Sequence, residues 1–208
     1  MNDLSVYVHI PFCVRKCRYC SFYSVPLDAQ ILPSFLKAVL TELDLYAANL
    51  PIETLYIGGG SPSLLKAEHL IPFLRQLLGR TGPVCEWTVE INPAQADQKL
   101  FAQLKDLGVS RLSFGAQSFH QKDLDFLGRL HRVEDIGRSV ALARAAGFDN
   151  IGLDLIYEQE LSKFKEREIE AQMEKKYFER FQFPLGLAVL LLVIETCLTP
   201  RKKEKKPF

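Results

Sequence analysis

The sequence carries almost no net charge: 26 basic and 25 acidic residues leave a formal +1 over 208 positions. A chain so balanced has no long-range field with which to gather nucleic acid or an acidic partner. Cysteine is scarce, five in all, and Cys85 and Cys197 stand apart from the other three and from each other, so a disulfide framework has no support. The N-terminal MNDLSVYVHI lacks a basic region followed by an apolar core, and no secretory signal is read there. Nowhere is there a run of the roughly 20 apolar residues needed to cross a bilayer upright. At 48% apolar residues, the chain can build one sizeable core and hardly two.

What stands out is VYVHIPFCVRKCRYCSFY, Val6 to Tyr23, which places Cys13, Cys17 and Cys20 in one short loop after a strand-like run. Turns of that length let three sulfurs converge on soft metal while the backbone passes around it. Zinc is the competitor, but a closed zinc site wants four ligands, usually from two separated pairs. No fourth Cys or His follows at ligand spacing, and His9 falls in the strand before the loop. Three cysteines on a cubane of four irons leave one iron open, where a small molecule with an amine and a carboxylate can chelate.

That spacing, with HIPFC before the first cysteine and YCSFY at the third, resembles the oxygen-independent coproporphyrinogen III oxidase-like family of radical S-adenosylmethionine (SAM) proteins. The oxidase branch carries a further cysteine two residues after the third; Phe22 stands here instead, which points to the heme-chaperone (HemW-type) branch. The resemblance implies a 4Fe-4S cluster on Cys13, Cys17 and Cys20, bound SAM, and an external electron donor. It also implies reductive cleavage of SAM to methionine and a 5'-deoxyadenosyl radical. In the chaperone branch it further implies heme binding and transfer to a recipient hemoprotein. The alternatives are a coproporphyrinogen oxidase-like enzyme acting on a porphyrinogen, and an inactive truncated fragment. No catalytic residue is singled out. His9, His69, His120 and His131 are heme-ligand candidates only because imidazole ligates heme iron; a surface or core histidine is the favoured reading of each.

From residue 5 to 157, apolar runs bounded by Gly or Pro alternate with segments of helical period, the βα rhythm of a parallel sheet. Strands are expected at SVYVHI, TLYIGG, Thr88 to Ile91, RLSFGAQ and NIGLDLIY. Helices are expected over 31–49, 66–78, 97–107, 121–127 and 133–146, with Gly108 and Gly147 as left-handed caps. In the first helix Leu32, Phe35, Leu36, Val39, Leu40, Leu43 and Leu45 fall largely on one face. This is an α/β fold, a partial TIM-type barrel truncated after about five strands, with active groups at the C-terminal strand ends.

Polar motifs fall at those ends. Gly58, Gly59 and Gly60 let backbone approach a ligand closely, although a tight turn explains three glycines equally well. GGGSP resembles the family's GGGTP segment, whose backbone contacts the methionyl part of SAM; Ser61 keeps the hydroxyl of the usual Thr. Glu90, in VEINP, is an acid on an apolar strand, which needs a partner or a cavity; a salt bridge at the barrel mouth is the plain alternative. Glu90, Gln117, Arg129 and Asp154 coincide in order and context with the family's SAM-contacting positions, and Tyr7 and Tyr19 with aromatic contacts near the cluster. Carboxylates hold ribose hydroxyls, and Arg or Gln hold a carboxylate or adenine edges, so the residue types suit this ligand.

The resemblance stops after Tyr157, where the organisation reads as a core over 1–157, a charged helical linker over 158–182, an apolar helix over 183–200 and a basic tail over 201–208. Ile169, Met173, Tyr177 and Phe181 make a thin stripe along the linker. The apolar stretch, about 16 residues with its flanks, falls just short of a span, and RKKEKK follows it as at a membrane boundary. It reads as a membrane anchor, as a buried helix covering the open barrel, or as an artefact of assembly. ERFQFPLGLAVLLLVIE is similar to the last membrane segment of von Willebrand A-domain proteins of the aerotolerance operon type, which suggests a fusion or a truncated gene. The expected location is a reducing cytoplasm, with membrane attachment through 183–200 if the anchor reading holds.

Overall fold

The computed structural model describes residues 4–46, 51–95, 97–156, 162, 163 and 165. The chain divides into two units, Met1–Ile156 and Tyr157–Phe208. Nearly all the expected linker, and the whole of the apolar segment and basic tail, lie outside the described residues. Among the described residues no helix is long and apolar enough to cross a membrane.

The first unit is a five-stranded parallel sheet in the order β1 (Leu4–Ile10), β4 (Ile52–Gly59), β5 (Glu86–Ile91), β6 (Arg111–Gln117) and β7 (Asn150–Leu155). Its helices are α1 (Leu32–Tyr46), α2 (Ala67–Thr81), α3 (Gln98–Asp106), α4 (Gln121–Leu127) and α5 (Val133–Ala145). Each adjacent pair of main strands is separated in sequence by at least one helix, which is what parallel pairing requires. The central strands bury Leu55, Ile57, Trp87, Val89, Leu112 and Phe114 almost completely, while Phe101 packs edge-on against Phe114 and Phe148. Among the described residues β1 and β7 are the edges of this sheet, and on β7 Leu153 and Leu155 are exposed.

Helix ends follow local chemistry. The Asp97 carboxylate accepts the Leu100 amide at 2.7 Å and starts α3, and Gly108 (φ 93) and Gly147 (φ 87) follow α3 and α5 in the left-handed conformation expected of them. One expectation fails on α1: Leu45 is 74% exposed. At about 100° per residue it lies well round the helix from the buried stripe of Leu32, Leu36 and Leu40. Residues 47–49, expected to extend that helix, lie outside the described residues.

A two-stranded parallel ribbon, β2 (Phe12–Cys13) with β3 (Val25–Pro26), was not expected from the sequence. It closes the base of the cysteine loop, with the Val25 amide donating to Pro11 at 2.9 Å and the Leu27 amide to Cys13 at 3.3 Å.

Candidate functional site

A cavity of about 370 Å3 opens at the C-terminal ends of β4 to β7, beneath the cysteine loop. Cys13, Cys17, Tyr19, Cys20, Gly59, Gly60, Ser61, Glu90, Gln117, Arg129 and Asp154 all line it. Tyr7 does not. Half-exposed on β1, it shares a 3.2 Å hydrogen bond with His9 Nδ1 and lies against Tyr56, with ring centroids 5.7 Å apart.

The cysteine loop is tied down at several points. The Arg18 amide donates to the Leu127 carbonyl (3.2 Å), Arg15 Nη2 to Gly128 (2.8 Å), and His9 Nε2 to Tyr23 (2.9 Å). The thiols themselves remain free and half-buried. Burial first, then the neighbouring Cys17 and Cys20, push the Cys13 pKa up. Arg129 reaches this rim from below, its Nη1 lying 3.7 Å from Cys17 Sγ and 3.5 Å from the Tyr19 hydroxyl. Burial pushes Tyr19 up to about 12 against the pull of Arg129, so its phenol is a donor at neutral pH.

The opposite wall is cross-linked. Glu90 accepts the Tyr56 hydroxyl at 2.9 Å and the Gly59 amide at 3.0 Å. Burial raises its pKa; those two bonds oppose the shift and Asp154 adds to it. The acid on an apolar strand thus has partners and a cavity, and no salt bridge is needed to explain it. Asp154 accepts the Ser113 hydroxyl at 3.1 and 3.2 Å. Ser61 and Ser63 both donate to Gln95 Oε1, at 2.5 and 3.0 Å, while Ser63 accepts the Asn92 amide.

The glycines answer to close approach. A Cβ at Gly58 would come within 2.8 Å of the Glu90 carboxylate, and one at Gly60 within 2.7 Å of the Phe12 carbonyl and 3.0 Å of Cys13 Sγ. At Gly115 it would meet Arg129 Nη2 at 3.1 Å and Gln117 Nε2 at 3.2 Å. Gln117 is the one non-glycine residue with positive φ among the described residues (φ 67), a conformation costing on the order of 1–3 kcal/mol and typical of functional sites.

Sequence reasoning missed Tyr56, Gln95, Ser63, Ser113 and Gly115. Gln95 sits in a 3-10 turn (Pro93–Gln95) with no periodicity to mark it, and Tyr56 reads as an ordinary strand residue. Of the histidines, His9 and His131 are each bonded to a backbone carbonyl, and His69 and His120 are exposed.

The donor set suits a multi-iron cluster better than a single ion. Cys13, Cys17 and Cys20 offer three thiols from one loop, and a cubane takes each thiolate on a separate iron. A ligand with acceptor atoms also has a place to bind: Arg129 Nε on the cavity wall is buried without a hydrogen-bond partner. The volume lies within the roughly 300–1,000 Å3 usual for small-molecule sites.

Residues 7–167 match the radical SAM superfamily profile. The chain belongs to the radical SAM superfamily. The match runs past Tyr157, where the resemblance had been expected to end. Heme chaperone HemW of Bacillus subtilis is 36% identical over 159 residues, which cover 74% of this chain and 42% of that protein. HemW of Escherichia coli is 36% identical over 163 residues, 76% of this chain and 43% of that protein. The chain therefore spans about two fifths of the length of these curated relatives. Among solved structures, coproporphyrinogen III oxidase HemN of Escherichia coli, described as a radical SAM enzyme, superposes with a TM-score of 0.67 at 28% identity. That superposition covers 74% of this chain and 37% of HemN. The family profile and this neighbour bear out the α/β partial-barrel reading, and the HemW relatives the heme-chaperone resemblance.

Proposed function

We propose that the chain binds a 4Fe-4S cluster through Cys13, Cys17 and Cys20, holds SAM in the cavity beneath it, and serves in heme binding and delivery to a hemoprotein as its relatives' name implies. One observation carries the reading: the cysteine loop and the polar strand ends, far apart in sequence, line a single cavity. A bound cluster supplies the electron, taken from an external donor, for reductive cleavage of SAM. The protein residues do the holding. Glu90, prealigned by Tyr56 and Gly59, offers its remaining lone pairs to ribose hydroxyls. Gln117 and Arg129 offer donors to a carboxylate or to adenine, and Tyr19 donates from the rim.

Phe22, 61% exposed at the cavity where the oxidase branch carries a cysteine, favours the chaperone role. A coproporphyrinogen oxidase-like enzyme is the second reading, favoured by the likeness to HemN. We read the core as 1–157 and its location as the cytoplasm from the sequence alone. Membrane attachment through 183–200 rests on the sequence alone.

The test takes the full chain through anaerobic reconstitution, iron and sulfide analysis, heme titration and a porphyrinogen decarboxylation assay. Close to four irons per chain, stoichiometric heme uptake and no decarboxylation support the chaperone reading. Decarboxylation supports the oxidase. A chain that retains no iron is the inactive fragment.

A further inference from the structure

At the end of β6 the chain does something costly. Its register against β7 slips between Phe114 and Gln117, and the Ser118 amide then closes a three-residue turn onto the Ala116 carbonyl at 2.9 Å, with Gln117 at its centre. A turn of this kind with positive central φ is rare and strained for a residue bearing a side chain. Carbonyls displaced from a ladder inside a protein must find other donors. Two residues of the α4–α5 connection supply them: Arg129 Nη2 donates to Gly115 at 2.7 Å, and His131 Nε2 donates to Ala116 at 3.1 Å. Arg129 faces the cavity and belongs to the site already described; His131 does not line it.

His131 is 1% exposed, and its Nδ1 is buried without a hydrogen-bond partner. A ring donating through Nε2 with a bare Nδ1 is a neutral imidazole in one tautomer. Burial, together with the Arg129 charge, holds its pKa down, which keeps that tautomer at ordinary pH. Gly115 explains why the turn must be held. The Gln117 and Arg129 side-chain ends both lie against it, so close that a Cβ there would have to push them back by a few tenths of an ångström, and with Gln117 in this backbone conformation its carboxamide sits over the strand.

We propose that His131 is a positioning residue for Gln117: by donating to the Ala116 carbonyl it holds the strained turn that aims the Gln117 carboxamide into the cavity, and it thereby sets the affinity for SAM. The inference rests on the proposed reading of the cavity as a SAM site. Without that donor the buried Ala116 carbonyl keeps only the Ser118 amide, and Gln117 relaxes toward negative φ, carrying its side chain off Gly115.

The test is equilibrium dialysis of labelled SAM against the anaerobically reconstituted full chain, with iron content and melting followed in parallel. The variants are His131→Leu, His131→Gln, Gln117→Ala and the double variant His131→Leu/Gln117→Ala. His131→Leu and Gln117→Ala each weaken SAM binding about tenfold, the size of one net hydrogen bond. The double variant is no weaker than Gln117→Ala alone, iron content is unchanged in all, and His131→Gln, which keeps an N–H donor, binds as wild type does. Equal affinity of His131→Leu and wild type, beside a loss in Gln117→Ala, overturns the proposal, as do losses that multiply in the double variant. Should His131→Leu fail to fold, His131→Gln decides: folded, iron-loaded protein with affinity as poor as Gln117→Ala refutes the role of the donor. Wild-type protein that loads iron but takes up no SAM overturns the proposed function itself, and this inference with it.

Discussion

On one side of the cavity stands a loop whose thiols are half-buried and in no disulfide, tied to the scaffold at its backbone and by Arg15, with Arg129 Nη1 against Cys17 Sγ. On the other side stands a wall where Glu90, Ser61, Ser63 and Gln95 already spend hydrogen bonds on one another or on the backbone. The difference separates two tasks. A loop that must wrap inorganic chemistry keeps its ligands uncommitted and anchors its main chain instead. A wall that must orient an organic ligand fixes its side chains in advance, because positioning is worth most when it is settled before the ligand arrives. Fold and ligand loading should therefore respond differently to damage on the two sides.

The largest effect is expected on the loop. Cys17→Ala abolishes iron loading after reconstitution, yet leaves the melting temperature of the iron-free protein within about 1 °C, since the thiol's bond to Arg129 is long, at 3.7 Å; iron analysis and calorimetry check both halves. A drop of several degrees would show that the loop supports the fold and would break the contrast.

Next comes the acid side of the stability profile, which reports on the wall's supports. His131 is held down to about 4 from 6.5 by burial and by Arg129, with the bond to the Ala116 carbonyl and then Asp135 opposing. Its folded pKa lies below that of the unfolded chain, so the unfolded chain takes the proton first. The stability due to this group is complete above pH 6.5 and is lost as pH falls toward 4, by on the order of 3 kcal/mol. Denaturant titrations of wild type and His131→Gln across that window test it; identical pH slopes would refute it.

A smaller loss follows at the seam between the two sides. Gly60→Ala sets a Cβ 2.7 Å from the Phe12 carbonyl, which is backbone and yields little, so about 1–3 kcal/mol of stability should go, together with much of the iron uptake. Full iron uptake in that variant would mean that the loop adjusts independently of β4. Smallest of all, Arg15→Ala removes one exposed bond to Gly128 and should cost no more than about 1 kcal/mol in melting experiments, while shortening cluster lifetime in air. An unchanged lifetime would place loop anchoring in the backbone bonds alone.

Much of this layout could be read from residue order. Strands such as RLSFGAQ announce themselves because both faces of a central parallel strand are covered, and Glu90 stood out because an acid in such a strand demands an explanation. Leu45 misled because apolar residues sort onto a helix face by angle, and its angle is wrong for the stripe. The turn at Gln117 left no trace, since glutamine is not a turn-forming residue and tertiary hydrogen bonds from Arg129 and His131 impose the conformation. The β2–β3 ribbon is too short for any alternation to show. Tyr7, expected near the cluster by family position, bonds through its hydroxyl to His9 beside the cavity lining, a partner its sequence neighbourhood did not announce.

The most direct test of the claim that rim and wall form one site is electron paramagnetic resonance of the reduced, anaerobically reconstituted full chain with and without SAM. A cubane signal that changes shape when SAM is added, and that no longer responds in Arg129→Ala, is the predicted result. A cubane signal indifferent to SAM in the wild-type protein would contradict it.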